Sequence, residues 1–139
     1  MSSASQGKAR VVALRHVWLW MLIGWLLVAG IILASVIPDV RLAVLSSGMS
    51  DKIAHGFSYF LLMLWFSGLY MRRYQLVVAV SVIVLGMVLE AIQWQLPYRM
   101  FDLNDLLANL IGVASGFIFA ILLSAGWCQR IEMYLGYHD

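Results

Sequence analysis

VWLWMLIGWLLVAGIILASVI, residues 17–37, carries no charged side chain and stops at Pro38-Asp39. At a rise of about 1.5 Å per residue such a stretch covers the roughly 30 Å hydrocarbon layer of a bilayer, and proline then blocks continuation of the helix. It reads as a membrane span. A cleaved signal peptide, suggested by Lys8, Arg10 and Arg15 ahead of it, fits less well because the apolar part of such peptides runs to only about 7–15 residues. The rest of the chain agrees: its 139 residues are 63% hydrophobic and 12% charged with a net charge of +2. That leaves too little polar side-chain surface to cover a soluble globule. No block of like charge suggests a nucleic-acid surface. The single cysteine, Cys128, allows neither an intrachain disulfide nor a cysteine-based metal site.

Three further apolar runs follow, at about 54–71, 76–96 and 105–125. Arg72-Arg73 closes the first, Pro97 the second and Gly126 the third, each a residue type that ends or bounds a helix at a membrane surface. The predicted fold is all-α: an integral membrane bundle of four transmembrane helices over 17–126, with 1–16 ahead of it and a tail at 127–139. Six of the nine Lys and Arg residues (Lys8, Arg10, Arg15, Arg72, Arg73 and Arg130) fall on one side of such a bundle. The positive-inside rule therefore predicts that both chain ends are cytoplasmic. Trp18, Trp20, Tyr70, Tyr74 and Trp127 would line the inner interface, and Trp94 and Tyr98 the outer one. The tail would lie along the inner surface, with Ile131, Tyr134 and Leu135 on its apolar side.

Polar residues converge at the outer end. At about 100° per residue, Lys52, His55 and Tyr59 share one stripe of the second helix, with Asp51 beside them, and Glu90 and Gln93 share one on the third. Asp102, Asp105, Asn109, Gly112 and Gly116 occupy one arc of the fourth. Glu90 lies about 9 Å inside its helix end. A carboxylate facing lipid at that depth costs at least about 2.5 kcal/mol, so it should face the bundle and be protonated or paired, with Lys52, His55 and Arg99 as partners. Asp102 suits an N-cap, and Asp105 the positive end of the helix dipole. Gly112 and Gly116 form a G-x-x-x-G pair for helix packing. The arc they share with Asn109 is expected to oppose Glu90 and Gln93, with a hydrogen bond between those stripes. His55 near carboxylates has the composition of a metal site, but no H-E-x-x-H spacing or equivalent is present, so no metal and no cofactor is expected. The motifs of nucleophile and nucleotide enzymes are also missing.

The segment Asp51-Lys52-Ile53-Ala54-His55-Gly56-Phe57-Ser58-Tyr59 resembles the D-K-x-x-H-x-x-x-Y element of the VanZ-like membrane proteins. Glu90-Ala91-Ile92-Gln93, Arg99-Met100-Phe101-Asp102-Leu103-Asn104-Asp105 and Asn109-Leu110-Ile111-Gly112 resemble that family's E-x-x-Q, R-x-x-D-x-x-D and N-x-x-G elements, in the family's order. Met100 stands where the family commonly has a small residue. The resemblance implies a small multi-pass protein of the bacterial inner membrane with its motif residues at the outer surface. It also implies a family link to lowered susceptibility to teicoplanin-type glycopeptides, without a defined activity.

The expected site is therefore Asp51, Lys52, His55, Glu90, Gln93, Arg99, Asp102, Asp105 and Asn109. Its mixed charges suit a zwitterionic or multiply hydrogen-bonded ligand better than a bare anion. A lipid head group, a lipid-linked envelope precursor or a partner helix would satisfy it, in a non-enzymatic protein. Two alternatives stay open. One is a membrane-embedded acid–base enzyme using Glu90 or His55 for proton transfer and Asp105 as orienter. The other is a small transporter or channel subunit, which would need a polar path that the inner halves of these helices lack unless a homo-oligomer supplies it.

Overall fold

A computed structural model describes residues 10–37, 48–97, 102–122 and 126–136. Its elements are α1 (Val17–Val36), α2 (Gly48–Leu69), a 3₁₀ turn (Arg72–Tyr74), α3 (Gln75–Trp94), α4 (Leu103–Leu122) and α5 (Trp127–Tyr134). Among the described residues the only β feature is an isolated antiparallel bridge between Val11 and Tyr70. Among the described residues three helices are long and apolar enough to cross a membrane: α1, α3 with its preceding turn, and α4.

The least apolar long helix, α2, is the central one. It packs chiefly on α4 and also touches α3, α1 and α5. Tyr59, Leu62, Met63 and Leu69 on it are almost wholly buried. A helix that buries one face against its neighbours, while Met49, Ile53 and Phe57 stay exposed on another, can carry on the buried face polar groups that α1, with only Gly24 and Val28 buried, cannot. Leu22, Trp25 and Leu26 on α1, Leu76 and Val80 on α3, and Ile111 and Ile118 on α4 point outward, an apolar surface that water would not tolerate at this extent. A cavity of about 600 Å³ lies between α1, α2 and α3, lined mainly by Trp25, Val28, Leu62, Phe66, Val78 and Val82.

Helix ends match the sequence reading to within a few residues except at α2, which begins at Gly48 rather than 54. Asp51 and Lys52, with Lys52 on this helix by the stripe arithmetic, lie inside its first turns, where a carboxylate meets the positive end of the helix dipole and the ammonium finds partners on α4. Ile37 is extended at φ −67°, ψ 132°, the conformation imposed on a residue preceding proline. Where α2 ends, Gln75 folds its amide back to donate to the carbonyls of Ser67 (2.9 Å) and Tyr70 (3.0 Å), acceptors that the helix terminus leaves open.

Gly112 and Gly116 pack on α2, not on α3. A side chain at Gly112 would run into the Gly56 carbonyl and the Phe60 amide, and one at Gly116 would meet Met63 and the Phe60 carbonyl at 2.9 and 3.0 Å. Such approach needs a small residue on both helices. Here α2 offers Gly56 opposite Gly112.

The tail is not a loose surface strip. Gly126, in the left-handed region at φ 92°, a conformation cheap for glycine, turns the chain into α5, whose Cys128 and Glu132 are buried. Glu132 accepts hydrogen bonds from the Arg15 N–H (2.7 Å), the His16 N–H (3.1 Å) and the Trp20 indole (2.9 Å). It thus caps α1 from the other end of the chain, since His16 makes no side-chain cap of its own. Trp20 and Trp127, expected in the aromatic belt, join Trp65 in a cluster with ring centroids 5.5–5.7 Å apart. Burial pushes the Glu132 carboxyl up, but the two backbone N–H groups, the indole and His16 together hold it below the ordinary 4.5.

Two tests follow. Gly112→Leu should lower the thermal midpoint by roughly 10 °C, the scale of about 3 kcal/mol of overpacking, whereas Ala114→Leu on the exposed face of α4 should change it little in the same detergent melt. Glu132→Gln should cost about 2 kcal/mol near neutral pH. A depressed carboxyl stabilises above its unfolded value of 4.5 and loses that contribution as pH falls through the folded value. The gap between wild type and Glu132→Gln should therefore close below about pH 4.5 in chemical denaturation, and a gap that persists in acid would contradict the assignment.

Candidate functional site

The α2–α4 contact sets the site, because it brings the first turns of both helices side by side. Lys52 on α2 places its ammonium 2.6 Å from Asp102 Oδ2 and 2.9 Å from Asp105 Oδ1. One turn along α2, His55 Nδ1 lies 3.2 Å from Asn109 Oδ1. An amide carbonyl oxygen only accepts, so Nδ1 is the donor in this contact. Asp51, His55 and Asp105 each bring a ligating atom within 4.8 Å of the other two.

Asp102 serves both readings of its sequence at once. Oδ1 accepts from the Asn104 N–H and from the Asn104 side-chain amide, each at 2.8 Å, capping α4, while Oδ2 holds Lys52. The Lys52 ammonium, followed by those Asn104 donors, keeps the Asp102 carboxyl below the usual range.

Glu90 forms the floor. It is 2% exposed, and its Oε1 accepts the Asp102 backbone N–H at 3.1 Å. That donor was not among the partners expected from sequence, because a free N–H at a helix start leaves no mark on residue type. Oε2 is buried and has no hydrogen-bond partner among the described residues. Tyr59 packs its ring on Gly86, one turn below Glu90 on α3. The rim is open by contrast, with the Lys52 and Asp102 side chains 31% and 38% exposed.

Not every expected member is present. Gln93 is buried but turns to α1, donating to the Ser35 carbonyl at 3.2 Å, so it fastens helices rather than lining the cluster. Asn109 bonds His55 across to α2 instead of Glu90 on α3. Arg99 lies outside the described residues. What remains is a cup of Asp51, Lys52, His55, Glu90, Asp102, Asp105 and Asn109 at one end of the bundle, with more carboxyls than cations among the described residues.

A fission-yeast (Schizosaccharomyces pombe) protein described as "Uncharacterized protein C11E3.10" is 36% identical over 89 residues, covering 61% of this chain and 55% of its own length. The chain thus spans about half the length of this curated relative. No solved structure matches. The model of the VanZ/LLP1 family matches residues 16–124, a stretch that contains every residue of the polar cup and all four long helices, and the chain belongs to that family.

Proposed function

We propose that the polar cup binds the head group of a membrane lipid or lipid-linked envelope molecule at the membrane surface. The observation that carries this is the Glu90 oxygen without a donor at the bottom of a cup whose rim is open. Leaving a buried acceptor unpaired costs about 1–3 kcal/mol. A head group carrying a hydroxyl or ammonium would repay it, while Lys52 offers a donor to the phosphate. Apolar flanks on α1, α3 and α4 suit the attached chains.

In this reading all four long helices cross the bilayer, α2 as the core helix, and the side bearing Arg72, Arg73 and Arg130 is cytoplasmic together with both chain ends. The family resemblance supports a bacterial inner membrane as the location. The glycopeptide link belongs to the VanZ-like proteins for which the family is named. One observation favours a second reading, an acid–base enzyme: Asn109 holds His55 through Nδ1, and a His55 ring nitrogen lies within 4.8 Å of an Asp105 carboxylate oxygen.

Orientation is tested with Cys128 replaced by alanine and single cysteines at Met49 or Tyr134, both well exposed. An impermeant thiol reagent should label Met49→Cys and spare Tyr134→Cys in intact cells, and the reverse pattern would invert the topology. Binding is tested by native mass spectrometry in EDTA with phosphatidylethanolamine. Glu90→Gln keeps the acceptor for Asp102 but points an amide N–H₂ at the ligand's donor, so adducts should fall about tenfold, the scale of one charge-assisted hydrogen bond. Lys52→Met should reduce them as well. Equal adducts in all three proteins would rule the head-group site out.

A further inference from the structure

We propose that Asp51, His55 and Asp105 form a site for one divalent transition-metal cation, with the Glu90 carboxylate behind it. Their ligating atoms lie within 4.8 Å of one another, and ligands of a tetrahedral ion at about 2.1 Å each stand about 3.4 Å apart, so the three groups close in by up to about 1.4 Å on binding. Small side-chain adjustments close that difference. Asp51 and His55 are four residues apart on α2 and project from one face, while Asp105 comes from the first turn of α4. A spacing rule written for one helix does not see this set, because its third member is supplied by the glycine contact between two helices.

Independent observations point to a cation rather than to acidic residues that merely lie close together. Glu90 is 2% exposed and still leaves Oε2 without a donor among the described residues. Its carboxylate lies in electrostatic range of Asp105, His55 and Asp102, so the open acceptor belongs to the same cup. His55 Nδ1 contacts the Asn109 side-chain carbonyl, the kind of contact that orients an imidazole binding metal through its other nitrogen. Asp51, Glu90, Asp102 and Asp105 face one lysine among the described residues, a surplus of negative charge that a divalent ion would neutralise. One imidazole with carboxylates suits Mn²⁺, Fe²⁺ or Zn²⁺ rather than a soft ion such as Cu⁺.

Lys52 is the competitor. Its ammonium shares Asp105 with the ion and has Asp102 as its second partner, so ion binding shifts it toward Asp102. Removing it should strengthen metal binding while weakening head-group binding, and this opposite sign separates the two proposals. The metal site does not depend on the head-group reading: the lipid assay is run in EDTA, and the metal assay contains no phospholipid.

The experiment titrates Mn²⁺ into the full chain in detergent after EDTA treatment and dialysis, following the loss of the free-ion electron paramagnetic resonance signal. Each variant is first matched to wild type by circular dichroism and gel filtration. Wild type should take up one equivalent. His55→Ala and Asp105→Asn should bind at least about tenfold more weakly, Lys52→Met more tightly, and Glu132→Gln, a carboxylate removed at the other end of the bundle, like wild type. No uptake by wild type, equal binding by all five proteins, or unchanged or weaker binding by Lys52→Met overturns the site. If His55→Ala does not fold, the comparison of wild type with Lys52→Met decides.

Discussion

Everything at the polar end depends on the backbone of α4 lying against the backbone of α2 where Gly112 meets Gly56. In a membrane two apolar helices gain nothing from leaving lipid for each other, so their attraction must come from close packing and from hydrogen bonds. The small residues provide the first and place Lys52 and His55 within reach of Asp102, Asp105 and Asn109 for the second. The polar contacts in turn hold the glycines at a separation that dispersion alone would relax.

The helices were largely legible because their signal is length and apolarity, and residues 17–37 need little else. The misplaced start of α2 shows the limit of that signal. The apolar run starts at 54, but the polar turn ahead of it is helical as well, because its Lys52 finds partners on α4. The cup was legible in composition, since intramembrane Glu90 and the stripe of Lys52 and His55 have few bland explanations. Its wiring was not. Helical arithmetic gives the direction of a side chain around its own axis and says nothing about which neighbour stands there. Asn109 was therefore paired with the wrong helix, and Gln93 was counted in the cup although it reaches α1. The Asp102 N–H that engages Glu90 is a backbone group and invisible to any reading of residue types.

Glu132 shows the same limit at the opposite end. In sequence it is one acid in a short polar tail, more than a hundred residues from its partners. In the fold it is the buried acceptor for two backbone amides and an indole. The tryptophans beside it follow suit: an indole at a membrane boundary can sit among head groups or satisfy its N–H inside the protein. Trp65 and Trp127 do the latter, donating to the carbonyls of Trp20 and Leu64.

The cap on α1 also orders events during synthesis. The amino-terminal N–H groups of α1 are completed by a carboxylate from α5, which is made after α1 to α4. Until α5 emerges, α1 cannot be fastened at its head, and the bridge between Val11 and Tyr70 must wait for the end of α2. Formation of α1 and its fastening are thereby separate stages, and a nascent chain stalled before residue 132 lacks the contact that completes α1.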